Sequence, residues 1–264
     1  MSIACVHVIH KERQGYEMES SGTKMQILNR DTIKYIAMFT MLLNHVAHMF
    51  LPSGSIGTEL LMDIGYFTAP TMCYFIVEGY EYTRSKKKYG LRLLLFAVVS
   101  QVPFTLAFEF GNLNMIFTLL CCFLILVVMD KVANPIFRML LVMLLMFATV
   151  LGDWPLFAPI FTILFHNNRG NRKKLISSYG ITGILFVFIT IQSNLMRAEY
   201  TVTEAVLFGM LSGIGIIMSA VVILFLYNGK RAERGRSFSK WFFYIFYPGH
   251  LILLYVIRVF VQGL

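Results

Sequence analysis

The stretch FYIFYPGHLILLYVIR, Phe243 to Arg258, decides how this chain is read. It is apolar for long enough to lie in a bilayer, yet Tyr247-Pro248-Gly249-His250 sits inside it, an ionisable ring beside two residues that weaken a helix. An ionisable side chain at membrane depth costs at least about 2.5–3.5 kcal/mol, so it is expected to face a protein interior or a hydrated cavity rather than lipid.

The rest of the chain agrees with a membrane reading. Of 264 residues, 57% are hydrophobic and only 14% charged, more apolar than one soluble core requires. A crossing needs about 20 apolar residues, and nine segments can be placed, at 32–52, 60–82, 91–109, 114–131, 137–152, 155–167, 175–192, 203–227 and 241–262. The predicted fold is all-α, a polytopic membrane helix bundle of about nine transmembrane helices (eight to ten), forming one domain over residues 25–264. Gly152-Asp153-Trp154-Pro155 reads as a tight turn between two short spans, with one bent, re-entrant element as the alternative. Residues 1–24 are polar and lack the apolar core of a secretory signal; they are expected to be a disordered tail or an upstream extension.

The net charge of +9 falls in short clusters between apolar runs, the pattern of membrane topology rather than of a nucleic-acid surface. Alternate loops hold sixteen cations: Arg84, Lys86, Lys87, Lys88, Arg92, Lys131, Arg138, Arg169, Arg172, Lys173, Lys174, Lys230, Arg231, Arg234, Arg236 and Lys240. The opposite loops offer only Arg197. This asymmetry predicts a cytoplasmic N-terminus and an extracytoplasmic C-terminus in a bacterial plasma membrane, with membrane lipids as partners and no nucleic acid. Cys5, Cys73, Cys121 and Cys122 show no metal-site or disulfide spacing and read as buried thiols or tail.

Polar groups at membrane depth are where chemistry is expected. His45, in LLNHVAHMF, lies about 20 Å along a helix from Asp31, and His250 lies about 15 Å past Lys240. Either imidazole can accept and return a proton; the structural alternative is a histidine hydrogen-bonded between helices. His48 and His166 read as interfacial, and no third ligand stands near His45 and His48, so no metal is expected. Pro70 is expected to kink the second helix. Glu78 can pair with Arg84 or Lys88, and Gln101 can satisfy carbonyls freed by Pro103. Asn112 and Asn114 are good helix N-caps at an end that also attracts negative charge, and Asp153 is expected to cap the helix that follows it.

Taken together, LLNHVAHMF, IGYFTAPTMCYFIVEGY, YGLRLLLFAVVSQVPF, NLNMIFTLL and FYPGHLILL resemble the TraX family, over nearly the whole chain after Met25 and in the same order. The resemblance implies a multi-helix membrane protein related to integral-membrane acyltransferases that draw acetyl groups from acetyl-CoA; the plasmid member is described as a pilin acetylase. His45, Asn114 and His250 match the family pattern. An Asp before the first-helix histidine and a Gly-Arg pair are replaced here by Asn44 and by Gly65-Tyr66.

The expected activity is transfer of an acetyl group from acetyl-CoA to an amine or hydroxyl of a secreted peptide or envelope glycan. His45 or His250 would be the base, and the other, with Asn114, would stabilise the oxyanion. Asn44, Tyr66, Gln101 and Glu78 are candidate substrate contacts. Arg84, Lys88, Arg92, Arg172 and Lys173 are candidates for the CoA phosphates. The competing classes are a small transporter or channel lined by the same histidines, and a non-catalytic membrane partner.

Overall fold

The computed structural model describes residues 26–108 and 111–262, so the tail assigned to 1–24 lies outside the described residues. Among them, helix dominates, and strand geometry is confined to isolated bridges. The chain runs through α1 (Arg30–Phe50), α2 (Ile56–Gly65), α3 (Thr68–Tyr82), α4 (Lys86–Phe108) and α5 (Met115–Lys131). It continues through α6 (Pro135–Ala148), α7 (Phe157–Asn167), α8 (Arg172–Leu195), α9 (Val202–Leu211), α10 (Gly213–Val221) and α11 (Arg236–Gln262).

Because α2 and α3 nearly join, and α9 runs through α10 into a π-helical turn at Val222–Leu226, these elements make nine helical segments among the described residues. Five are long and apolar enough to cross a membrane: Ile56–Tyr82, Lys86–Phe108, Arg172–Leu195, Val202–Leu226 and Ser237–Val261. The protein is therefore a multi-pass membrane protein. Backbone in hydrocarbon has no water to bond, so each segment closes its hydrogen bonds within itself. Helix α6 buries no side chain and turns Ile136, Phe137, Leu140, Leu144 and Phe147 outward, as a lipid-facing helix does.

Two expectations about segment interiors change. Pro70 does not kink a continuous helix; the chain breaks before it, at Tyr66 and Phe67, and Pro70 lies in the first turn of α3. The physical reason is that a proline ring clashes with the carbonyl four residues earlier and offers no N–H, whereas a first turn needs none. At Gly152-Asp153-Trp154-Pro155 there is a turn between two short helices, with positive φ at Trp154 and Leu156. The cap of α7 is Leu156, without a side-chain bond, so Asp153 does not take the capping place expected of it.

Close approach sets two crossings. A Cβ at Gly65 would stand 2.2 Å from the Cβ of Asn44, and one at Gly215 would meet backbone atoms of Asp63 and Phe67 at 2.3 and 2.5 Å. Glycine thus lets α1 press against α2, and α10 against the α2–α3 break. At the cation-rich end, the start of α1 is clasped to the segment before α11. Leu28 N donates to Leu226 O, Asn228 N to Leu28 O, and Arg30 N to Lys230 O, while Ala232 N donates to the Asp31 carboxylate. First and last helices are thereby held side by side, and α11 packs on both α1 and α4.

Candidate functional site: a buried histidine pair above a cationic cavity

His45 on α1 and His250 on α11 meet inside the bundle. Their Nδ1 and Nε2 atoms lie 2.8 Å apart, the rings are nearly parallel at 7°, and both residues are less than a tenth exposed. His250 Nδ1 stands 2.8 Å from the Phe246 carbonyl oxygen, one turn back. A carbonyl only accepts, so His250 carries its hydrogen on Nδ1 and leaves Nε2 as a lone pair. That lone pair must accept from His45 Nδ1–H, which leaves His45 Nε2 as the basic nitrogen of the pair. Protonation there breaks no bond already present, whereas protonation of His250 Nε2 would set two N–H groups against each other. The geometry therefore makes the two rings unequal: His45 donates from Nδ1 and keeps Nε2 unbonded, while His250 is anchored on the Phe246 carbonyl. Phe108 packs edge-on to His45 at 4.9 Å, and Phe246 stacks on His250 at 4.8 Å.

Asn114 caps α5. Its Oδ1 accepts from Ile116 N and Phe117 N, and its Nδ2 hydrogens go to the Ala97 carbonyl and Gln101 Oε1. Gln101 also accepts from Asn114 N and donates to the Asn112 carbonyl. It is thus turned toward the α4–α5 connection, not toward the carbonyls beside Pro103 as expected, because the buried start of α5 has its own orphan N–H groups to satisfy. Asn44 donates to the Met62 carbonyl, near the end of α2. Tyr66 packs edge-on to Trp154 and Phe186, which stack on each other. Glu78 pairs neither with Arg84 nor with Lys88. It lies 3.7 Å from Arg30 and accepts the Tyr227 hydroxyl, since the clasp brings the start of α1 and Tyr227 over it.

Beneath the histidines runs a cavity of about 590 Å³. Its charged lining is Arg30, Lys34, Arg84, Arg92, Arg231 and Lys240, with Asp31 the lone acid among them. Elsewhere the wall is apolar, with Met38 and Met41 on α1, Met72 on α3, and Met115, Ile116 and Leu119 on α5. From Arg30 to Met41 the α1 wall spans about 16 Å. On α11 the lining reaches as far as Tyr247, whose ring meets His250 edge-on at 5.8 Å; His45, His250 and Asn114 are not part of this lining. Arg92 Nε is buried without a hydrogen-bond partner among the described residues.

Of the cations expected to hold phosphates, Arg84 and Arg92 line the cavity. Lys88, Arg172 and Lys173 do not, and Arg172 sits over the Phe225 ring at 4.4 Å. The sequence reading missed Arg30, Lys34 and Tyr247. Arg30 and Lys34 are spaced i, i+4 on one face of an apolar helix, a signal that was available; Arg231 and Lys240 were counted only as topology. Among the described residues, no three His, Cys, Asp or Glu side chains gather as a metal site.

The fold and the site together define a polytopic membrane helix bundle that buries a histidine pair beside a cation-lined cavity. The chain belongs to the TraX protein family, whose model matches residues 29–258. It is similar to the probable fimbrial assembly protein FimC, serogroup H1, of Dichelobacter nodosus, at 28% identity over 242 residues, covering 87% of this chain and 96% of that protein. No solved structure matches it.

Proposed function

We propose that this chain is an integral-membrane acyltransferase that moves an acetyl group from acetyl-CoA to an amine or hydroxyl of a peptide or envelope glycan. The observation that carries this reading is the directional His45–His250 pair standing beside the cation-lined cavity. Six cations converge at the mouth, more than loop topology alone requires, and polyanions favour such a cluster. Their end of the bundle faces the cytoplasm, as loop charge predicts, with the chain in a bacterial plasma membrane, its N-terminus inside and its C-terminus outside. The apolar inner lining suits an extended thiol-bearing arm reaching inward toward Tyr247. An acceptor presented from the opposite face would then meet the thioester near the histidines. A surface-appendage subunit as acceptor fits the similarity to a probable fimbrial assembly protein of Dichelobacter nodosus.

In this mechanism His45 Nε2 takes the proton from the attacking amine or hydroxyl, while His250, anchored on the Phe246 carbonyl, holds the His45 ring and tautomer. The new C–N or C–O bond forms, the thioester C–S bond breaks, and the departing thiolate receives the proton from His45. Asn114 serves as the α5 cap, its amide hydrogens already committed.

The test is purified protein in detergent, incubated with radiolabelled acetyl-CoA and membrane extract, beside His45→Ala and His250→Gln. Loss of the base should lower transfer by about 10²–10⁴-fold. His250→Gln, able to accept from His45, should retain more activity than His45→Ala. Equal label transfer by all three proteins would defeat the reading, and label-independent, gradient-driven flux would favour a transporter.

A further inference from the structure

The start of α5 is buried, and its first N–H groups are accounted for one by one. Ile116 and Phe117 donate to the Asn114 side chain, while Met115 N donates to Tyr247 Oη at 3.3 Å. Since the phenol oxygen is the acceptor in that bond, its own O–H is left to donate elsewhere. Among the described residues the Met115 N–H is the hydrogen-bond partner of this oxygen, and the phenol donates to none of them. Tyr247 is 6% exposed, lines the cavity and meets His250 edge-on. A buried hydroxyl hydrogen without an acceptor is costly, so one kept at a cavity wall points to a bound group that completes it.

We infer that Tyr247 is a catalytic residue, the donor that stabilises the oxyanion in acyl transfer. The inference rests on the acyltransferase reading and deepens it. Asn114 was the expected donor, yet both its amide hydrogens are bound within the protein. Tyr247 holds a free one three residues, less than one turn, before His250. Its oxygen accepts from a backbone N–H at the positive end of α5, which polarises the O–H and strengthens it as a donor. As the acceptor's nitrogen or oxygen bonds to the thioester carbon, the carbonyl π pair moves onto oxygen, and that oxygen takes the Tyr247 hydrogen bond while the phenol keeps its proton. His45 Nε2 receives the acceptor's proton. Collapse re-forms the C=O bond, expels the thiolate and passes it that proton, so both side chains end as they began.

The test compares full-length wild type with Tyr247→Phe, which keeps the ring and the cavity wall. With the unfolding temperature as a folding control, kcat for label transfer from acetyl-CoA is expected to fall by about 10²–10³-fold with KM for acetyl-CoA unchanged. A second readout needs no turnover: the infrared carbonyl band of bound [1-13C]acetyl-CoA, without acceptor, should lie lower in wild type than in Tyr247→Phe. An undiminished kcat, a change confined to KM, or identical carbonyl bands in the two proteins would overturn the assignment to Tyr247 while leaving the acyltransferase reading standing. Wild type that transfers no label at all would overturn both.

Discussion

Arg30 on α1 and Glu78 on α3 form a buried ion pair, 3.7 Å between Nη1 and Oε1, with each side chain less than a tenth exposed. Tyr227 closes the arrangement by donating to both Glu78 oxygens at 2.9 and 3.0 Å. Because Lys34, Arg84, Arg92, Arg231 and Lys240 share the adjoining cavity with Arg30, Glu78 is the carboxylate that balances its cationic wall from behind.

Removing that carboxylate leaves a guanidinium buried without its counter-charge. Glu78→Ala is expected to cost about 3 kcal/mol of stability, and Tyr227→Phe about 1.5 kcal/mol for hydrogen bonds to a charged acceptor. Denaturant unfolding in detergent micelles measures both, and a Tyr227→Phe loss as large as that of Glu78→Ala would contradict the ordering.

On the proposed acyltransferase reading, phosphate binding falls to the cations that line the cavity. Arg84→Ala and Arg92→Ala should each raise the KM for acetyl-CoA about tenfold, the worth of one charge-assisted hydrogen bond, and the effect should shrink as salt is raised. Lys173→Ala, outside the lining, should leave KM unchanged; a rise equal to that of Arg92→Ala would relocate the donor site.

Helix crossings without room for a methyl group give a graded series. Gly215→Ala would press Cβ into the backbone of Asp63 and Phe67, which cannot step aside, and Gly65→Ala into Asn44. Each should destabilise by about 1–3 kcal/mol. Gly180, within α8, has open space where a Cβ would go. Gly180→Ala should therefore stabilise by up to about 1 kcal/mol. Unfolding temperatures of the three variants check the order.

Asp153 lies in the turn between α6 and α7. Burial pushes its carboxyl up to about 6, a shift the Trp154 backbone N–H opposes. An unfolded chain releases the same proton near about 4. The stability contribution of this group is thus present below about pH 4 and is lost as pH rises through about 6. Asp153→Asn, which cannot ionise, should raise the unfolding temperature at neutral pH and leave it unchanged at about pH 4; the reverse pattern would mean the carboxylate is favoured in the fold.

Much of the helix plan was legible. Long apolar runs, clustered loop cations and the Gly-Asp-Trp-Pro turn marked nine segments near their observed positions, since each reflects a local cost of placing backbone or charge in hydrocarbon. The extra residues at the starts of α4 and α11, from Lys86 and Arg236, were missed because charged first turns remain helical at a bilayer edge. The break at Tyr66 and Phe67 was displaced from the expected kink by one turn, the reach of a proline ring back to the carbonyl it obstructs.

Hydropathy and charge are properties of neighbouring residues, so they could say that His45 and His250 are buried and polar, and nothing about their meeting. They are 205 positions apart, and their 2.8 Å contact exists because the clasp at Leu28–Asp31 and the packing of α11 on α1 bring those faces together. Packing likewise chose Arg30 over Arg84 for Glu78, consumed the hydrogens of Asn114 and left that of Tyr247 free. Which donor meets which acceptor depends on distances across helices, and linear spacing carries no information about those.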